Sequence, residues 1–506
     1  MAQGALPFQY QVEQRPGGMT ALAGLPAFLD LAYVVGLRTA IEQHLEVRGN
    51  GQGWTDAQMV MALILLNLAG GDCVEDLNGL EQDEGLCHVL RRTEFFKLPR
   101  QQLREMERRW RKERTRTVPS PTAARAYLAE FHNAEEETKR EKGQAFIPAP
   151  NGNLLGLGQV NRELIAFIQS RNPQREATLD QDATLVETHK QQALYGYKGY
   201  AAYQPLNTWW TEQGVVLHSE FRDGNVPAGH EQRRVLEEAL RILPAGVKKV
   251  YLRSDTAGYQ WDVLRYCAEG KNERFGVIEF AIGADVTREF KRAVAQVAES
   301  EWRPLVRQVE GQRIETRQQW AEVCYVPNEA ARRKDGPTYR FLAIREPLEQ
   351  PELPGPEQAQ LPFPTMSFGQ ERHKLFAVVT NRELPGDEVI WWHRGRCGKS
   401  EEAHSVMKED LAGGKLPSGL FGANAAWWQI MVLALNLAAA LKRLALGGSW
   451  VTKRLKALRY GLINLPGRVL MHAHRLVVRL SAGHTGAELL MALRSRILAL
   501  AAPATG

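Results

Sequence analysis

The chain has 506 residues, with 64 Lys plus Arg against 58 Asp plus Glu, five Cys and 44% hydrophobic residues. This ordinary globular composition excludes a disordered, collagenous or disulfide-framework protein. The five thiols (Cys73, Cys87, Cys267, Cys324 and Cys397) are odd in number and form no Cys-x-x-Cys pair, which argues against a secreted fold or a structural zinc site and for a reducing cytoplasm.

Charge is unevenly placed. After Asp410 there are twelve Lys or Arg and one acid, Glu488, a net +11. The whole chain is +6, so the first 410 residues sum to about −5. A second basic block, Arg91 to Arg116, holds eleven Lys or Arg against four Glu. Phosphate backbones are drawn to such patches by Coulomb attraction and counterion release. A solvated helix face accounts equally well for either block alone; the two together point to nucleic acid.

Residues 1–150 read as helical. Phe28–Gln43 and Thr55–Leu68 have helix-like apolar spacing, and Gly70-Gly71-Asp72 breaks the second run. Residues 100–116 form a charged helix, and Val118-Pro119-Ser120-Pro121 is a turn or cap before the helix Thr122–Thr138. Gly143–Gly156 is a connector. The next stretch alternates: strands at Ala177–Val186, Gly214–Arg222, Val247–Ser254 and Arg274–Ile282, helices at Glu231–Leu243 and Tyr259–Cys267. That pattern predicts an α/β mixed sheet. Arg313–Arg317, Trp320–Val326, Tyr339–Ile344 and Lys374–Thr380 read as strands of a β-rich insertion. Helix returns from Ser400 through Glu409 and from Ala423 to Leu446. The uncharged run Leu416–Leu441 contains Asn424, Gln429 and Asn436 and is read as a buried helix, with no membrane span expected. No basic-then-apolar leader opens the chain, so no signal peptide is expected.

Three acids stand at positions suited to metal. Asp182 follows Asp180 with a strand's period of two, so both share one face. Asp255 ends an apolar strand before a Gly-containing turn, where α/β sheets place ligand-binding groups. Glu401 opens a helix in which Lys408 lies seven residues on, on the same face; Glu402 is its immediate rival. Carboxylates from separate elements suit Mg²⁺ or Mn²⁺, and two such ions can clamp the attacking and leaving oxygens of phosphoryl transfer. Lys408 and Arg396 would contact phosphate. Each acid taken singly has a plainer account: Asp180 or Asp182 as a turn cap, Glu401 as charge at a helix N-terminus.

The ordered set resembles the DDE transposases of bacterial insertion sequences, the cut-and-paste group with a ribonuclease H-like catalytic domain. Asp182-Ala183-Thr184 resembles that group's first-acid motif, an Asp followed one residue later by Thr. Asp255 before Thr256-Ala257-Gly258-Tyr259 resembles the second. The third motif runs Tyr, two residues, Arg, three residues, Glu, six residues, Lys. Glu401 and Lys408 keep its last spacing. His393 and Arg396 keep its first, with His in place of Tyr and four residues rather than three before Glu401; Trp391 and Arg394 keep it also, at a greater distance. The 146-residue gap from Asp255 to Glu401 resembles members whose catalytic fold is interrupted by a β-rich insertion. The turn Arg222-Asp223-Gly224-Asn225 and the helix from Ala423 to Asn436 are similar to this group as well.

The resemblance implies an α/β architecture of five parts: a helical N-terminal DNA-binding region at 1–150, a ribonuclease H-like catalytic domain split over 151–285 and 389–445, a β-rich insertion at 286–388, and a basic helical C-terminus at 446–506. It implies catalytic Asp182, Asp255, Glu401, Arg396 and Lys408, with a pair of Mg²⁺ or Mn²⁺ ions on Asp182, Asp255 and Glu401. The partners implied are double-stranded DNA, as terminal inverted repeats and target, and a second copy of the chain in a synaptic homodimer. The acids would position metal that activates water to cut the ends, and freed 3′-hydroxyls would attack target DNA. A metal nuclease without strand transfer and an inactive DNA-binding regulator are the alternatives. Cys397 reads as an incidental thiol, His404 as a polar helix-face residue, and Trp391 or Trp392 as core or as a stacking surface for an unpaired base.

Overall fold

The computed structural model describes residues 17–49, 51–110, 113–141, 144–309, 312–327, 339–348, 363–396 and 399–501. Cys397, and Arg111 and Lys112 of the first basic block, lie outside them. Strands are β1 (Met19–Thr20), β2 (Glu176–Ala183), β3 (Val186–Glu187), β4 (Leu194–Tyr195), β5 (Ala201–Tyr203), β6 (Leu206–Trp210), β7 (Val215–Glu220), β8 (Lys249–Ser254) and β9 (Glu279–Ala284). They continue as β10 (Arg303–Val309), β11 (Gln312–Val323), β12 (Arg340–Pro347), β13 (Thr365–Phe368), β14 (Glu371–Thr380), β15 (Gly467–His472) and β16 (Arg475–Leu480).

A ten-stranded sheet runs β10-β11-β12-β14-β9-β8-β2-β6-β7, with β13 on β14. β2, β8 and β9 are parallel neighbours, and the other pairings are antiparallel. The mixed α/β sheet expected from the alternating pattern is therefore present. The strands of the β-rich stretch extend this same sheet, because β14 pairs with β9. Arg313–Arg317 and Trp320–Val326, read as two strands, are largely one, β11. β6 escaped the pattern because Asn207 and Thr208 are buried inside the sheet rather than marking a turn.

The helical N-terminal region follows its local signals. Thr55 caps the helix Asp56–Ala69 reciprocally: its hydroxyl accepts from the Gln58 amide at 3.2 Å, and Gln58 Oε1 accepts from the Thr55 amide at 2.8 Å. Gly70, at φ 96°, ends it in the left-handed conformation that favours glycine. This helix, Pro121–Ala129 and Gly152–Arg171 surround the apolar helix Phe421–Ala440, which also lies on β7. Phe421–Leu446 is long and apolar enough to cross a membrane, yet it is the central core helix, with Asn424 and Asn436 fully buried. Each large side chain such as Leu433 or Leu437 contributes about 1.5–3 kcal/mol by its burial.

The C-terminus departs from the helical expectation. A helix does occupy Thr485–Ala499, but β15 and β16 precede it as an antiparallel ribbon, and β15 pairs with β1 near the other end of the chain. Alternating Val469, Leu476 and Val478 turn one face inward. The Thr485–Ala499 helix packs on Pro26–Val35, so the two terminal regions form one body.

Asn436 is the polar pin of the core. Its Oδ1 accepts from the Val216 amide at 2.8 Å, and its Nδ2 donates to Asn161 Oδ1 at 2.7 Å and to the Val216 carbonyl at 2.8 Å. Asn436→Leu strands these partners, at about 1–3 kcal/mol for each unsatisfied group. A clearly lower urea midpoint is expected, followed by tryptophan fluorescence, whereas Asn464→Leu at an exposed position leaves it unchanged.

Candidate active site

The site starts from a register. β2 and β8 run parallel with Gln181 opposite Ser254, and the Ser254 hydroxyl donates to the Gln181 carbonyl at 3.0 Å. The next residue on each strand is an acid, so Asp182 and Asp255 leave adjacent strand ends together. Asp255 also caps the turn Thr256–Gly258, accepting from the Ala257 amide at 3.0 Å. Gly258 is required in that turn: a Cβ there would stand 2.3 Å from Ser254 Oγ.

Asp180 and Asp182 share a face, as the period of two predicts, but their environments differ. Asp180 is locked in a buried ion pair. Arg253 Nε and Nη2 donate to its two oxygens at 2.6 and 2.8 Å, and the Thr211 hydroxyl donates to it at 3.0 Å. Arg253 spends its remaining donor, Nη1, on the Trp392 carbonyl at 2.8 Å. Asp180 is thereby a structural acid.

Among the described residues Asp182 has one cationic partner, Arg396, whose Nη2 donates to it at 2.9 Å. Burial pushes the Asp182 carboxyl up to about 7; Asp255 and Asp180 repel in the same sense, while Arg396 and the Ala183 amide oppose them. The helix Gly386–Arg394 and its C-terminal extension touch both acid-bearing strands. His393 Nε2 donates to the Ser254 carbonyl at 2.9 Å, one residue before Asp255. Burial, with Arg396, Arg253 and Arg394 nearby, lowers this imidazole to about 4, so it is neutral and its one N–H serves that carbonyl.

The third-motif residues are less convergent. Glu401 is exposed on the helix Lys399–Ser405. Glu402, its neighbour, lines a cavity with Asp180, Asp182, His404 and Lys442. A π-turn over Val406–Asp410, closed by the Leu411 amide on the Val406 carbonyl, breaks the helical phase between Glu401 and Lys408. The shared helix face expected for Glu401 and Lys408 is therefore lost. Lys408 Nζ donates instead to the Leu185 carbonyl at 3.3 Å, in the loop that follows Asp182. Burial draws its ammonium below the usual lysine range, with Glu409 opposing and Lys198 adding. Trp391 donates to the Val306 carbonyl and Trp392 lies under Arg382, so both tryptophans are engaged in packing.

The arrangement thus joins Asp182, Asp255 and Arg396, sets Lys408 beside the first acid's loop, and leaves Glu401 outside. Sequence reasoning missed Arg253 and the positioning role of His393. An Arg inside the apolar run Val250-Tyr251-Leu252-Arg253 signals a buried acid partner. Nothing in the sequence signals the His393 contact. Asp182 and Asp255 offer hard oxygen donors, and one guanidinium leaves the pair short of positive charge, which fits a hard divalent cation. Among the described residues no group of three His, Cys, Asp or Glu side chains is arranged to hold a metal ion.

The two aspartates of β2 should separate in stability measurements made with chelator present. Asp180→Asn leaves Arg253 without its counter-charge and costs about 3–5 kcal/mol. Asp182→Asn keeps an acceptor for Arg396 and removes an ionised group held at about 7. A raised carboxyl favours the fold below the unfolded value near ~3.9 and loses that contribution as pH climbs through the folded value. Asp182→Asn therefore gains on the wild type from about pH 4 upward, with the full difference above about pH 7, read as urea midpoints across pH.

Comparison with known proteins gives the chain a family. A cryo-EM structure of the piggyBac transposase synaptic complex with hairpin DNA aligns over 96% of this chain and 82% of its own, at 11% identity and a TM-score of 0.42. No curated protein matches. The family model described as transposase DDE domain group 1 matches residues 8–502, and by that match the chain belongs to the DDE transposase family.

Proposed function

We propose that the chain cuts double-stranded DNA at the ends of a mobile element and joins the freed 3′-hydroxyls to target DNA, acting as a dimer that pairs the two ends. The observation that carries this reading is the side-by-side exit of Asp182 and Asp255 from parallel strands, in a chain of the DDE family. Asp182 and Asp255 would hold Mg²⁺ or Mn²⁺ together with a third carboxylate. Bound there, such ions would acidify water and stabilise charge on the phosphate being transferred. Arg396 orients Asp182 and partly offsets its charge in the absence of the ions. His393 holds the end of β8 through Ser254 and so sets the direction of Asp255. Lys408 stands beside the first acid's loop and would meet a phosphate of the bound strand.

The motif spacing favours Glu401 as third acid; the cavity shared with Asp182 favours Glu402. Either must move toward Asp255 when DNA and metal are bound, since the described residues form no three-ligand group.

Purified protein incubated with Mg²⁺, terminal-repeat DNA and a target plasmid should give cut ends and joined product. Asp182→Asn and Asp255→Asn should abolish both and leave end binding mostly intact. Cutting without any joined product would reduce the reading to a nuclease, and undiminished cutting by either variant would remove the proposed site. Gel analysis of the cut strands for Glu401→Gln and Glu402→Gln should show cleavage lost in one of the two, which is the third acid; undiminished cutting by both would remove both candidates.

A further inference from the structure

Most of the twelve basic residues after Asp410 are held by internal partners. Lys415, Arg454, Lys456 and Arg494 pair with carboxylates. Lys442, Arg443, Arg459 and Arg496 donate to main-chain carbonyls, and Lys453 lies over the Trp450 ring. Arg468 is engaged as well. Among the described residues, Arg475 and Arg479 are the two that have no internal partner, and both are exposed on β16.

The ribbon displays them together. Cross-strand pairs set Arg468 opposite Arg479, Leu470 opposite Val477 and His472 opposite Arg475, all on one face. Basic residues directly opposite each other are mutually destabilising, and the one acid after Asp410, Glu488, is not on the ribbon. The other face is anchored: Val469 is buried and β15 is hydrogen-bonded to β1. The tip, His472 to Arg475, is exposed. Its two loop residues, Ala473 at φ 46° and His474 at φ 62°, are both left-handed, which makes the tight two-residue turn that matches strand twist.

We propose that the β15–β16 ribbon is a duplex-DNA contact that enters the major groove, with Arg475 and Arg479 on phosphates. Beyond its base, where β1 pairs with Gly467 and Arg468, the ribbon is two-stranded, of a width the major groove admits, and its free strands of four residues extend it about 13 Å. Arginine without a counter-charge gains from phosphate through counterion release. An anionic membrane would also attract the arginines, but the half-buried Leu470 and Val477 between them offer little apolar surface to insert. The inference rests on the reading that the chain acts on DNA, and adds a surface away from the acids.

The test measures binding of the full chain to a fluorescent linear duplex across a salt series. The double variant Arg475→Ala/Arg479→Ala should bind about tenfold more weakly at low salt, with the slope of log affinity against log salt reduced by about one for each arginine. Arg475→Lys/Arg479→Lys should restore the slope, which separates lost charge from lost folding. Unchanged affinity and slope in the alanine variant would overturn the ribbon contact and leave the proposed function standing. Failure of the wild type to bind duplex would overturn both. Loss of binding to phosphatidylserine vesicles with duplex binding intact would overturn the DNA contact in favour of a membrane surface.

Discussion

Arg253 and Asp180 meet inside the sheet through two hydrogen bonds, and the placement of both acids depends on that pair. A buried ion pair holds only if its desolvation is offset by further hydrogen bonds. Thr211 and the Trp392 carbonyl supply them, from β6's end and from the helix behind. The pair ties β8 to β2 at one register, and a slip of one residue would turn every side chain to the opposite face. Asp182 and Asp255 are adjacent because Asp180 and Arg253, two residues earlier on each strand, are bonded. The sheet thus divides its acids: one neutralised to hold the fold, two left with a single guanidinium between them.

That division extends to the basic residues. Most of those in the C-terminal region are staples. Arg459, for example, donates to the Asn67, Leu68 and Asp410 carbonyls and joins the N-terminal helices to the segment carrying Lys408. In the first block Arg109 binds the carbonyls of Gly49, Gly53 and Trp54, and Arg114 pairs with Glu94. Among the described residues of that block, Arg92, Arg100, Arg104 and Arg108 are exposed without an internal partner, the last three four apart along one helix, and the ribbon arginines are their counterpart in the C-terminal region. Net charge counted along a sequence does not say which arginines are free to meet a ligand, because many are held on main-chain carbonyls.

The parts of the fold visible in sequence were those set by local chemistry. The Thr55 cap, the Gly70 stop and the apolar strands at β2, β7 and β8 follow from spacing and residue type alone. Asp182 was legible from its period of two with Asp180, and Asp255 because it follows an apolar strand. What stayed hidden depends on partners far along the chain. β6 has polar residues at its centre and is defined by β2 and β7 on either side. The β15–β16 turn is Ala-His rather than Asn-Gly, so no turn signal marks it. The broken phase between Glu401 and Lys408 arises from a π-turn, which periodicity presumes absent. The Asp180–Arg253 pair joins residues 73 apart in sequence and is read only once the strands are seen side by side.

The proposed chemistry requires Asp182 and Asp255 to act as one cation site. Mn²⁺ binding to the full chain, followed by electron paramagnetic resonance, tests this without DNA or turnover. Wild-type protein should bind Mn²⁺, Asp182→Asn and Asp255→Asn should each lose that binding, and Asp262→Asn, on a neighbouring helix, should keep it. Equal Mn²⁺ binding by wild type and both site variants would contradict the account.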